Sequence, residues 1–194
     1  GVMGGMFTRN INIYGQTYAP VQSLTIDSSN LRTFYTGDAF DAGELAVTAV
    51  RANGAEETIW NGRLTYTGYD SDTTGTKTVT GHFLGATATF EVNVEELVTE
   101  NYTGSYELVQ GEQPTATEAT LLVDYSHKVC SITAADGSAS ISGTLVEVKD
   151  DALVLTLNGS EQLEVPMTET ESGKQVTIPA HDEVVSGWGY SNTY

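Results

Sequence analysis

Gly85-Ala86-Thr87-Ala88-Thr89-Phe90-Glu91-Val92-Asn93-Val94 is the stretch on which the fold turns. Ala86, Ala88, Phe90, Val92 and Val94 fall on one face of an extended chain, and Thr87, Thr89, Glu91 and Asn93 fall on the other. That period of two belongs to a strand packed on one side and wet on the other. Gly75-Thr76-Lys77-Thr78-Val79 and Phe83-Leu84-Gly85 lead into it. Farther upstream Leu45, Val47 and Ala49 alternate with Ala46, Thr48 and Val50. Asn53-Gly54 then supplies the two residues of positive φ that a tight hairpin turn needs. Tyr35-Thr36-Gly37-Asp38, with Phe40 and Asp41, precedes this strand, and Val21 to Ile26 alternates as an opening strand that breaks at Asp27-Ser28-Ser29-Asn30. Thr58-Ile59-Trp60 and Leu64-Thr65-Tyr66, set around Asn61-Gly62, predict a second hairpin, with Trp60 in core or hairpin packing.

The ordered set resembles the bacterial immunoglobulin-like domains that recur as modules in surface proteins of Gram-positive bacteria. It comprises a tyrosine, glycine and acidic turn, a leucine-x-valine strand, an Asn-Gly hairpin, a Gly-Thr-x-x-Val strand and the closing alternating strand. Asp38 stands where that family commonly has Glu, and Asn53 where it commonly has Asp. The likeness covers about Val21 to Val94, roughly two fifths of the chain. It implies a β-sandwich used as a spacer or adhesive module, with no catalytic residues to carry over.

Composition narrows the function classes. Eight basic residues against 26 acidic ones give a formal charge of −18 in 194 residues. Nucleic acid and anionic membranes reward Lys and Arg, so neither is an expected partner. No run approaches the roughly 20 apolar residues that cross a bilayer as a helix, so no membrane insertion is expected. The chain opens on Gly1 without a leader-like segment, as expected of a mature product. Cys130 has no second cysteine to pair with and is expected to be a buried structural thiol. An acidic, disulfide-free chain fits a bacterial extracellular or cell-surface setting.

Residues 1–20 form a lead-in, with Arg9-Asn10-Ile11-Asn12-Ile13-Tyr14 alternating inside it, expected as a loosely held segment. The sandwich is expected over 21–95 and a polar linker over 96–101, where Glu95, Glu96 and Glu100 cluster. A second domain then fills 102–194. Its strands are expected at 104–109, 117–124, 128–133, 138–148, 152–157, 161–167, 174–179 and 183–188. Asp136-Gly137 and Asn158-Gly159 are hairpin signals. Such a meander closes into a barrel or folds as a second sandwich, and is faintly similar to small lipocalin-like bacterial domains. For a barrel the apolar lining is Leu121, Val123, Ile132, Ile141, Leu145, Val148, Leu153, Leu155, Leu157, Leu163, Val165, Val176 and Ile178. An eight-stranded interior is either filled by side chains, the expectation here, or holds one small ligand.

No catalytic constellation emerges. His82, His127 and His181 have no metal-ligand spacing, and no Ser sits in a Gly-x-Ser-x-Gly elbow. His181-Asp182-Glu183 reads as a surface charge cluster, because neighbours on a strand face opposite ways. Asp70 and Asp72 could offer oxygens to calcium but lack the other ligands of a calcium loop. No metal or cofactor is expected. The aromatic residues remain: Trp188, Tyr190 and Tyr194 in a glycine-bearing C-terminal stretch, and Trp60 by its turn. These are the candidate ligand-binding residues, since such rings combine apolar area with a polar handle; Trp188 has the competing role of a plug on the second domain.

The sequence therefore predicts an all-β chain: an immunoglobulin-like β-sandwich followed by a second antiparallel β-barrel or sandwich domain. The expected role is non-enzymatic, spacing and adhesion to a host or cell-wall protein or glycan. The alternative is carbohydrate or small-ligand binding through the C-terminal aromatics or the second-domain interior. Oligomeric state is not encoded in any motif.

Overall fold

The computed structural model describes residues 19–110, 113–137, 140–157, 162–171, 173–179 and 184–191, with the backbone alone over 105–110, 113–117 and 184–191. Two compact units divide the chain, Gly1–Glu96 and Leu97–Tyr194. Regular structure in the described residues is all β apart from one short 3-10 turn, Asn61–Arg63. No helix among them is long and apolar enough to cross a membrane.

The first unit is the expected sandwich. Strands β1 (Val21–Asp27), β3 (Ala46–Arg51) and β4 (Glu56–Ile59) form one sheet in the order β1-β3-β4. The other sheet runs β2-β7-β6-β5, from β2 (Phe34–Tyr35), β5 (Thr65–Thr67), β6 (Gly75–Phe83) and β7 (Ala86–Glu95). The alternation of β7 holds: Ala86, Phe90, Val92 and Val94 are buried while Thr87, Thr89, Glu91 and Asn93 are exposed. β2 pairs parallel to β7, Phe34 beside Val94. Its two residues were too short a run to announce themselves by periodicity.

Two core clusters lie between the sheets, one around Leu24, Val47, Ile59 and Phe83, the other around Phe34, Leu45, Val79 and Val94. Phe40 joins the second, with its ring 4.9 Å from Tyr66, 5.3 Å from Tyr69 and 5.7 Å from Phe34. Such offset and tilted ring pairs add to the burial of apolar area. The Tyr35-Thr36-Gly37-Asp38 turn is locked to the next aromatic loop. Tyr69 and Ser71 hydroxyls both donate to the Asp38 carbonyl, at 2.7 and 2.8 Å, and the Gly37 N–H donates to the Ser71 carbonyl at 3.0 Å. An Asp38 carboxylate oxygen accepts the Tyr35 N–H at 2.9 Å.

Two turn readings need correction. At Asn53-Gly54 only Gly54 has positive φ, +86°. The Gly54 N–H donates to the Arg51 carbonyl and Asn53 Oδ1 accepts the Ala55 N–H, so an ordinary turn ends in a left-handed glycine. The turn with two positive φ values is Leu84-Gly85 (+48° and +85°), between β6 and β7. The expected hairpin at Asn61-Gly62 does not form, because β4 and β5 lie in different sheets. The chain crosses between sheets there, held by Asn61 Nδ2, which donates to the Gly43 and Leu45 carbonyls at 3.0 Å each.

The second unit is a closed eight-stranded antiparallel barrel of β8 (Thr99–Gln110), β9 (Gln113–Asp124), β10 (Val129–Ala134), β11 (Ser140–Val148), β12 (Ala152–Leu157), β13 (Leu163–Thr170), β14 (Gly173–Ile178) and β15 (Val184–Ser191). Each strand pairs with the next, and β15 returns to β8. Thr99 to Asn101, read from the sequence as linker, are already paired with Asp124 to Leu122. The Asn158-Gly159 turn and most of the lead-in lie outside the described residues.

Among the described residues, apolar side chains pack the barrel interior. Leu153, Leu155, Val165 and Val123 are fully buried in one cluster with Leu121, Ile132, Leu145, Leu157, Leu163, Val176 and Ile178, with Ile141 packed against it. Cys130 and Tyr102 belong to it as well. Val148, expected in the lining, is 52% exposed. The register of β11 on β12 shifts between Leu145 and Glu147, and this bulge returns Val148 to the face of Leu145, opposite Leu153, but at the barrel end, where it lines an open cleft and not the packed core. Truncating Leu155 to Ala should therefore cost about 2–5 kcal/mol in denaturant unfolding, while Val148→Ala should stay within about 0.5 kcal/mol of the parent.

Candidate functional site

The C-terminal aromatics are part of the barrel wall. Trp188 pairs in register with Thr177, and Tyr190 pairs with Gln175 on one side and Thr103 on the other. The flexible context expected from Gly187 and Gly189 gives way to a strand because β8 and β14 both present free backbone groups to it. Tyr194 and the His181-Asp182-Glu183 cluster lie outside the described residues.

A polar site that the sequence did not announce sits at one end of the barrel. On β8, Glu100 and Tyr102 alternate onto the inner face. The Glu100 carboxylate accepts hydrogen bonds from the hydroxyls of Tyr102, at 2.9 Å, and Tyr125, at 2.5 Å. Lys174 Nζ lies 3.2 Å from its second oxygen, and the two side chains are only 28% and 14% exposed. Burial alone would push the Glu100 carboxyl up. The Tyr125, Tyr102 and Lys174 hydrogen bonds and the Lys174 charge outweigh it, holding the group below the usual carboxylate range. Tyr102, desolvated and beside that carboxylate, has its phenol pushed up. The Tyr125 N–H donates to the Val98 carbonyl and the Val98 N–H to Ser126 Oγ, which ties the start of β8 to the turn after β9.

These groups line a cleft of about 330 Å3 formed by Val98, Glu100, Tyr125, Val148, Met167 and Lys174. Near neutral pH its carboxylate is ionised and already holds three donors, so it serves as a charge sink rather than a proton donor. The apolar rim comes from Val98, Val148 and Met167. Reading residues 96–101 as linker hid Glu100; the signal that could have found it is the alternation Val98-Glu100-Tyr102 running into the strand.

Trp60 is the one sequence-chosen aromatic whose side chain is described. It is 72% exposed, not core. Its ring lies across Gly62: a Cβ on that glycine would fall 2.5–2.8 Å from three ring atoms, so only glycine admits the ring there. The Arg63 N–H donates to the Trp60 carbonyl, and the Arg63 guanidinium sits 5.1 Å from the centre of the Phe83 ring. Leu84, next along the chain from Phe83, is 68% exposed.

Other candidates are engaged structurally. Asp70 Oδ1 accepts the Asp72 N–H at 2.8 Å, and Asp70 Oδ2 is 4.0 Å from Lys77 Nζ. Among the described residues no group of three His, Cys, Asp or Glu is gathered as a metal site. His82 shares a 2.8 Å hydrogen bond with Thr67, and His127 Nδ1 lies 2.7 Å from Asp124. Cys130 is buried, and desolvation pushes its thiol up to about 11, which suppresses the reactive thiolate.

Residues 32–94 match the family described as bacterial Ig-like domain (group 3). The matched stretch runs from just before β2 to Val94 in β7, so it covers most of the sandwich strands of the first unit and supports its Ig-like fold. No curated protein and no solved structure matches the chain.

Two outcomes follow from this geometry. The lowered Glu100 value means its stabilisation is complete above the ordinary value of 4.5 and is lost as pH falls through the folded-state value. Glu100→Gln should thus be less stable than the parent at pH 7 by about 1–3 kcal/mol, with the gap closing below pH ~4.5 in urea titrations. Replacing Leu84 by Asn, which tolerates positive φ better, should raise stability by about 0.5–1 kcal/mol in the same assay.

Proposed function

We propose, from the bacterial Ig-like domain at residues 32–94 as premise, that this chain is a non-enzymatic module of a bacterial cell-surface or secreted protein, giving spacing and adhesion. Such domains occur in surface and extracellular proteins, and the expected partner is a host or cell-wall protein or glycan. The observation that carries the reading is the state of the two interiors. Among the described residues both are packed with apolar side chains, and the buried ionisable groups of the barrel end are committed to one another. The acidic surface, with a net charge of −18, favours a solvated chain that stays dispersed outside a nucleic-acid-rich setting.

A second reading rests on the cleft at the barrel end. Its volume lies at the lower edge of small-molecule sites, and Glu100, Lys174 and Tyr125 converge on it beside apolar residues. That reading gives the barrel a small-ligand or carbohydrate role, with the Ig-like unit as spacer.

The test is a binding panel of the purified chain against host matrix proteins, mucin and wall polysaccharides. Saturable binding to at least one partner, recovered chemically unchanged, is the expected result. Binding that disappears in Lys174→Met but survives changes on the first unit would favour the barrel cleft. Turnover of any panel member by catalytic amounts of the chain would sink the non-enzymatic reading.

A further inference from the structure

Three neighbouring side chains on the first unit are arranged in ways that folding does not require. Trp60 leaves 72% of its surface in water, and its ring lies against Gly62. Leu84 is 68% exposed and sits at φ +48°, a left-handed conformation that L-residues other than Asn, Asp and Gly adopt at a cost. A bulky apolar residue therefore occupies a turn position that favours Asn, and gains little burial in return. Arg63 links the two: it follows the Gly62 contact, and its guanidinium covers the Phe83 ring next to Leu84. Among the described residues it has no carboxylate within ion-pair distance. Arg32, Arg51 and Lys77, the other described basic residues of this unit, lie 3.8, 2.7 and 4.0 Å from one.

We propose that Trp60, Arg63 and Leu84 form a docking surface for an acidic segment of a partner protein, one that presents an apolar side chain beside a carboxylate. The proposal rests on the adhesive reading above and names the kind of partner. Trp and Arg are the side chains that most often dominate protein interfaces, and a pre-oriented ring loses little freedom on binding. Leu84 adds aliphatic area that complements an apolar side chain; a sugar would use the aromatic face alone. Arg63 supplies the sign, since among the described residues no carboxylate lies within ion-pair distance of it. General repulsion from the net charge is screened beyond about 8 Å at physiological salt, so a close ion pair at this edge decides the contact.

The experiment is an NMR titration of the whole 15N-labelled chain with three octapeptides. One carries a Leu-Phe pair flanked by glutamates, the second has lysines for the glutamates, and the third has serines for Leu-Phe. The first should shift the Trp60 indole N–H and the Leu84 and Gly85 amides saturably, with the other two about tenfold weaker or silent. Trp60→Ala and Arg63→Gln should each weaken binding about tenfold. Leu84→Asn should weaken it roughly threefold while raising the melting temperature, so that loss of binding cannot be traced to loss of fold. No shift, or equal affinity for the glutamate and lysine peptides, overturns the proposal. So does an indole shift produced by N-acetylneuraminic acid in place of the peptide, which marks a glycan site, or by raising the chain concentration alone, which marks self-contact. If the chain adheres in the binding panel and Trp60→Ala adheres equally well, this inference falls and the adhesive reading stands; if the panel is also silent, both fall.

Discussion

Strand β8 hydrogen-bonds along both of its sides, to β9 over Thr99–Gln110 and to β15 around Thr103 to Leu108. An open meander would leave two rows of unpaired N–H and C=O groups, each a template for unwanted pairing, and closure removes both. Closure also sets what can lie inside, because eight strands enclose little more room than side chains need. The apolar cluster from Leu121 to Ile178 follows from that limit, and so does the place of Glu100 and Lys174. Charged groups cannot go deeper, so they meet at the rim, where each supplies the other's counter-charge and the two tyrosine hydroxyls complete the set. The bulge between Leu145 and Glu147 turns Val148 onto that same rim, opposite Leu153.

The sandwich solves the edge problem differently, since its two sheets stay open. β4 ends the first sheet with Glu56 and Glu57 exposed on it, and charge on an edge strand discourages another chain from adding there. The crossover from β4 to β5 is the last of three places where the chain passes from one sheet to the other. Asn61 fastens it to the chain leading into β3, and the Tyr66 hydroxyl returns to the Asn61 carbonyl at 2.7 Å. Exposed Trp60 is thus attached to one of the better-tied loops of the unit.

Much of this was legible in the sequence, and the reasons are local. Alternation in β7 and in the barrel strands is written by residue type, and each strand expected in the second half has a counterpart near its place. What failed depends on long-range pairing. Nothing around Asn61-Gly62 says that its flanking strands belong to different sheets, and Asn53-Gly54 does not reveal which of its residues turns left-handed. Leu84 carries no turn signal, so the tightest hairpin of the first unit went unread. Glu100 looked like linker because charge was taken as a sign of solvent, whereas its three donors come from residues 102, 125 and 174. Trp60 could be flagged by type, but its exposure follows from the crossover alone.

The short parallel pair between β2 and β7 has a mechanical consequence. Phe34 lies beside Val94, and the Thr36 N–H donates to the Glu95 carbonyl at 2.9 Å, so the first strand of this sheet in chain order is bonded to the last. Tension that passes beyond β1 and reaches this pair draws β2 toward its beginning and β7 toward its end, which for parallel neighbours means opposite directions along one axis. The bonds between them are then loaded together in shear instead of opening one after another from an end, and the buried Phe34 and Val94 side chains must slide past their packing at the same moment. A domain pulled from its two ends would yield late under such a geometry, at a force set by how slowly that joint step occurs.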